Sequence, residues 1–156
     1  MHIDIYLMGP ITPLSIASSN GHIDVVRLLL DNGADPTSKD EHWPYCPLYD
    51  AANGGHLEIV RLLLDQGIDV NGVDYDKRKQ IHITTPLHYA ASEGHFDVVR
   101  LLIERGANVN IRDSWEFATA LHDAQEWGHS NIVTYLLEHG ADPTIKNWLG
   151  LTYDYY

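Results

Sequence analysis

The feature that most constrains this chain is a run of residues that returns at near-constant spacing. Its fullest copy is Thr85-Pro86-Leu87-His88-Tyr89-Ala90-Ala91-Ser92-Glu93-Gly94-His95-Phe96-Asp97-Val98-Val99-Arg100-Leu101-Leu102-Ile103-Glu104-Arg105-Gly106-Ala107. Thr85 is a helix N-cap whose hydroxyl can accept an orphan backbone N–H, and Pro86 takes the first helical position, where its missing N–H costs nothing. Gly94 supplies the left-handed residue that stops this short helix. Beyond His95, the residues Val98, Val99, Leu101, Leu102 and Ile103 make the apolar face of a second helix, which Gly106 ends. Two helices this short cannot bury their faces against each other alone, so the unit needs neighbours built the same way.

The chain supplies them. Related runs stand at Thr12-Pro13-Leu14-Ser15-Ile16-Ala17 with Gly21-His22, at Pro47-Leu48-Tyr49-Asp50-Ala51-Ala52 with Gly55-His56, and at Thr119-Ala120-Leu121-His122-Asp123-Ala124 with Gly128-His129. Gly21, Gly55, Gly94 and Gly128 are separated by 34, 39 and 34 positions. A T-P-L-H-x-A run at a period of about 33 resembles the ankyrin repeat, a turn followed by two antiparallel helices. The resemblance implies an all-α solenoid of stacked helix-turn-helix units with turn or hairpin tips. Its repeats would occupy residues 12–45, 46–84, 85–118 and 119–146, between a capping segment at 1–11 and a truncated capping repeat at 147–156. In the capping segment Ile3, Ile5 and Leu7 alternate with Asp4, Tyr6 and Met8, as a short extended stretch would.

Bulk properties agree with one array. Apolar residues make up 44% of 156, and no run approaches the ~20 residues of a membrane-spanning helix, so a soluble chain is expected. No secretory h-region is evident, and the lone Cys46 cannot form an internal disulfide, which together favour a reducing compartment, cytoplasm or nucleus. The formal charge of −12 argues against a phosphate backbone as partner, because that contact is built on clustered lysine and arginine. A monomer binding a neutral or basic protein is expected instead.

Departures from the repeat mark the places where this chain is particular. Ser15 stands where the family has histidine; the resemblance implies that this histidine bonds backbone across the repeat boundary, so a looser first boundary is expected. In the second repeat Cys46 and Tyr49 replace the threonine and histidine, so cap and cross-repeat bond are lost or replaced. Asp50 and Asp123 occupy one equivalent position on the inner helices, and neither suits a core. Val25, Val26, Leu28, Leu29 and Leu30 are expected as the core of the first repeat's second helix. Trp148, Leu149 and Leu151 are expected to cover the last repeat.

The tips differ too. Trp43 and Tyr45 lie in an aromatic turn, Glu41-His42-Trp43-Pro44-Tyr45, and either cover its base or anchor a partner. About six extra residues fall within 74–84, where Lys77, Arg78 and Lys79 would make a solvated loop or a clamp. The turn Asp113-Ser114-Trp115-Glu116-Phe117-Ala118 carries one extra residue, with Glu116 where the family has glycine, which implies strain or a rearranged tip.

Family resemblance implies that the inner helices and tips bind protein. The residues expected to do so are Trp43, Tyr45, Asp50, Tyr75, Tyr89, Glu93, Trp115, Phe117, Asp123, Glu126, Trp127 and Trp148. An aromatic and acidic surface of this kind prefers lysine or arginine flanked by apolar side chains, through charge attraction and cation–π contact. The competing reading is a small-molecule or enzymatic site that uses Asp50, Asp123 and Glu126 with His122, Tyr89 and Trp127. It would need a shielded pocket and carboxylates of separated pKa.

Other chemistry is weaker. His22, His56, His95 and His129 recur one per unit, too far apart to gather round an ion, so they are read as structural and no metal or cofactor is expected. Cys46 has no histidine and acid arranged about it, and no phosphate-binding glycine loop is present. Asn71 and Asn110 follow valine in the tips. That context resembles a hydroxylation site of ankyrin proteins, but a side chain bonded to turn backbone accounts for it as well.

Overall fold

The structure, a computed structural model, describes residues 12–37, 47–72 and 84–155. Within them lie four helical hairpins: α1 (Pro13–Ser19) with α2 (Ile23–Asp31), α3 (Pro47–Asn53) with α4 (Leu57–Asp65), α5 (Pro86–Ser92) with α6 (Phe96–Glu104), and α7 (Ala120–Glu126) with α8 (Ser130–Glu138). A 3-10 turn, Tyr153–Tyr155, follows and packs on α7. No strand occurs among the described residues. Each first helix has seven residues and each second helix nine. The hairpins stack so that α1, α3, α5 and α7 form one layer and α2, α4, α6 and α8 the other.

Local chemistry sets these boundaries. The Thr12 hydroxyl accepts the Ser15 amide at 3.1 Å and opens α1, and the Thr85 hydroxyl accepts the His88 amide at 3.4 Å at the start of α5. At the tips an Asx turn recurs: Asp35 accepts the Thr37 amide at 2.8 Å, Asp69 that of Asn71 at 3.0 Å, Asn108 that of Asn110 at 3.0 Å and Asp142 that of Thr144 at 2.8 Å. Leu14, Leu48, Leu87 and Leu121 fill the core from the first helices, and Leu63, Leu102 and Leu136 from the second. Each such leucine contributes roughly 1.5–3 kcal/mol through burial. Buried Ala17, Ala51, Ala90 and Ala124 keep the first helices close together.

Among the described residues, polar bonds tie neighbouring hairpins at the helix ends and, from the second repeat onward, at the tips. His56 Nε2–H donates to the Ser19 carbonyl at 3.0 Å, His95 to Asn53 at 2.9 Å and His129 to Ser92 at 2.9 Å, so these rings reach backward along the stack. A glycine of the preceding repeat, Gly21, Gly55 or Gly94, leaves room for each ring. A Cβ on Gly94 (φ +79°) would stand 2.5 Å from the His129 ring, whereas one on Gly128 (φ +77°) would meet nothing within 4 Å. At the opposite end, buried His88 takes the Thr85 amide on Nδ1 at 3.2 Å and donates from Nε2 to Ala118 at 3.2 Å. His122 repeats this with Thr119 at 3.2 Å and Leu151 at 3.3 Å. Burial holds both imidazoles below their ordinary pKa, and both are read as neutral.

Tyr49 does the same work by other means. Its hydroxyl donates to the Gly72 carbonyl at 2.7 Å, which ties α3 to the tip that follows α4. Asn71 and Asn110 act across the tips: the Asn71 side chain accepts the Asn108 amide at 2.8 Å, and Asn110 accepts the Asp142 amide at 2.8 Å while donating to Gly140 at 3.0 Å. Both side chains are bonded to turn backbone, that of the following repeat. On the back layer the Asp65–Arg105 ion pair spans two repeats at 2.8 Å, and Phe96 meets Tyr135 edge to face at 5.4 Å.

Two packing expectations need correction. In α2 only Val26 is buried, while Val25 is 46% and Leu28 63% exposed. Their counterparts Ile59, Val98 and Ile132, and Leu101, are buried because the preceding hairpin covers that face. For α2 no hairpin precedes among the described residues. At the other end Trp148 is 60% and Leu149 55% exposed, so neither covers the last hairpin. Cover comes from partly buried Tyr153 and from buried Asn147, whose side chain accepts the amides of Leu149 and Leu151, each at 3.0 Å. Residues 1–11, Lys77, Arg78 and Lys79 lie outside the described residues. Among the described residues, no helix is long and apolar enough to cross a membrane.

Candidate partner-binding groove

The first-helix layer presents its outward positions in register. Ile16, Asp50, Tyr89 and Asp123 form one row, one residue per helix, and Asn20, Gly54, Glu93 and Trp127 form a second row at the helix ends. Asp50 is partly buried; desolvation raises its carboxyl pKa, and a hydrogen bond from the Ser15 hydroxyl offsets part of the rise. Ser15, expected to loosen the first boundary, thus contacts the second repeat through Asp50. Tyr89 is also partly buried and meets Tyr49 edge to face at 6.1 Å.

Asp123 is strongly perturbed. Burial raises its carboxyl well above the usual carboxylate range, and the charges of Asp113, Glu126 and Glu116 raise it further. Each of these charges is negative. Asp50 does not join this cluster, because α5 lies between α3 and α7, and two helix spacings of 8–10 Å put roughly 16–20 Å between the outer helices. That is too far for two carboxylates to act on one bond.

The tip before α7 is built on Asp113, whose carboxylate accepts the Glu116 and Ala118 amides, each at 3.0 Å. Within this loop Phe117 is left-handed at φ +53°. The next tip has the same plan, with Asn147 as acceptor and Gly150 at φ +76°. Phe117, rather than Glu116, therefore occupies the glycine position, and the extra residue lies before it. A left-handed phenylalanine costs about 1–2 kcal/mol. Arg112 offsets this: Nε donates to the Phe117 carbonyl at 3.0 Å, Nη2 to the Lys146 carbonyl at 3.0 Å, and the guanidinium lies 4.9 Å above the Phe117 ring. The Trp148 amide donates to the Glu116 carbonyl at 2.6 Å, which joins the two tips.

Around this corner large rings face solvent. Trp115 is 60%, Phe117 48%, Trp127 65% and Trp148 60% exposed, and Glu93 and Glu126 are exposed as well. Trp127 is open to water and does not serve as the wall of a closed pocket. Trp43, Tyr45 and Tyr75 lie outside the described residues. Sequence reasoning missed Arg112 and Asp113, although the Asp113/Asn147 correspondence was a usable signal for the second.

A family model of ankyrin repeats, three copies long, matches residues 8–74 and again 72–147. The chain belongs to the ankyrin-repeat family. No curated protein matches it closely enough to count as a relative. Ankyrin repeats are generally protein–protein interaction modules, and in this ankyrin array the first-helix layer with its tips carries the exposed rings and the carboxylates described above.

Proposed function

We propose that this ankyrin array is a noncatalytic module that binds a protein partner through the acidic, aromatic surface of its first helices and tips. The observation that carries the reading is the exposure of Trp115, Phe117, Trp127 and Trp148 beside Asp123, Glu93 and Glu126. Exposed large rings grouped with charge are the composition of interface anchors, and leaving them in water is costly unless a partner covers them. A net charge of −12 points to a partner with a basic and apolar surface and away from nucleic acid. A single cysteine fits a reducing compartment, cytoplasm or nucleus, and we place the module there as a monomer.

The test is an affinity capture with three forms: wild type, the double variant Trp115→Ala/Trp127→Ala, and the back-layer control Arg100→Ala, each checked for native helicity. A protein held by wild type and control and lost from the double variant is expected. A protein held equally by all three, or none held by any, overturns the reading.

A further inference from the structure

The outward surface of the first-helix layer is uneven. At α1 and α3 the exposed Ile16, Ser19, Asn20 and Asn53 are uncharged and the one carboxylate, Asp50, is partly buried and bonded by Ser15, whereas α7 and the tip before it expose Trp115, Glu116, Phe117, Glu126 and Trp127 beside Asp123. We propose that this corner, formed by the tip 113–118 and α7, holds an arginine of an extended partner segment, with an apolar residue two positions from that arginine seated on Trp127. This rests on the protein-binding reading of the groove and makes its partner specific.

Three observations converge. Asp123 is partly buried on α7 and feels the negative charges of Asp113, Glu116 and Glu126, so an arriving cation relieves both repulsion and lost hydration. Trp115 and Phe117 lie in the tip leading into α7, and the Phe117 ring already carries the protein's own Arg112 guanidinium at 4.9 Å. A planar guanidinium stacks on aromatic faces while bonding carboxylate, whereas an ammonium is compact and strongly hydrated, so the corner selects arginine over lysine. The third observation is spacing. From Asp123 to Trp127 is four helical residues, about 6 Å of rise. An extended chain advances about 6.8 Å in two residues and points both side chains to the same side.

The test is a 15N-amide NMR titration with capped nine-residue peptides in a glycine–serine background. One carries arginine and leucine two positions apart; the others substitute citrulline for arginine, substitute lysine for arginine, or shift leucine by one position. The arginine–leucine peptide should perturb amides of 113–118 and α7, bind more tightly than the other three, and weaken roughly tenfold or more with Asp123→Asn. Asn53→Ala should leave it unchanged. Equal binding of the citrulline or lysine peptide, or perturbation centred on α1 and α3, overturns the proposal. So does an absence of binding by any peptide. In that case, a lysate capture that still separates wild type from the Trp115→Ala/Trp127→Ala variant leaves the groove reading standing without the arginine, and a capture that does not separate them removes both.

Discussion

A carboxylate that is partly buried among other carboxylates weakens the protein that carries it. Because the folded chain raises the Asp123 pKa, it holds that proton more tightly than the unfolded chain does. Above the ordinary carboxylate value of about 4, the charged form therefore subtracts stability, increasingly so as pH rises through the folded value. Asp123→Asn should raise folding stability on the order of 1 kcal/mol at pH 7, with the gain shrinking toward pH 4. His88 and His122 act in the opposite sense, since their lowered pKa values make acid costly below about pH 6.5. Both forms share them, so the difference between urea midpoints measured across that range isolates Asp123. A variant no more stable than wild type at pH 7 would mean that the carboxylate is better solvated than its surroundings imply. At this scale the sequence was an uneven guide. Asp50 and Asp123 were legible as unsuited to a core, because their place in the repeat is known by counting. Phe117 was not, because counting cannot say where an extra residue is absorbed; the Asp113 bonds to the Glu116 and Ala118 amides decide it.

Among elements, the junction between hairpins is the unit of cohesion, and the glycine–histidine pair is its clearest part. Gly94 and Gly128 share a left-handed backbone, so alanine at either costs about 1 kcal/mol of strain. Only Gly94 also faces the next repeat's histidine, 2.5 Å from where the new methyl would lie. Gly94→Ala should therefore destabilise by about 1–3 kcal/mol more than Gly128→Ala, since it crowds a packed interface. Equal losses in chemical denaturation would assign the glycine to backbone conformation alone. The recurrence of Gly-His was plain in the sequence, and so were the helices, because caps and glycines punctuate them locally. The bonding partners were not plain. That His56, His95 and His129 reach backward while Asn71 and Asn110 reach forward depends on how hairpins dock, which no single repeat encodes.

For the whole molecule, stability is close to a sum over hairpins and the interfaces between neighbours. Among the described hairpins the first has the most exposed back face: Val25 is 46% and Leu28 63% exposed, whereas Ile59, Val98 and Ile132 are buried, Leu101 is buried, and Leu62 and Tyr135 are partly buried. Amide exchange should accordingly be fastest in α1 and α2 and slowest in α5 and α6, with a visible step between hairpins. Uniform protection would show instead that the array opens as one cooperative block. This asymmetry was illegible in the sequence, since α2 is apolar at the same positions as its counterparts, and burial depends on what lies beside them.

The bonds that run between hairpins also have a mechanical meaning. Among the described residues each joins one hairpin to an adjacent one and none spans the stack, so a load applied along the array passes through the junctions in series. Such a chain yields at its weakest link and lengthens in steps of one hairpin. Tension of this kind alters the spacing between neighbouring first helices, and a partner seated on the tip 113–118 and α7 would lie beside one of the links that it stretches.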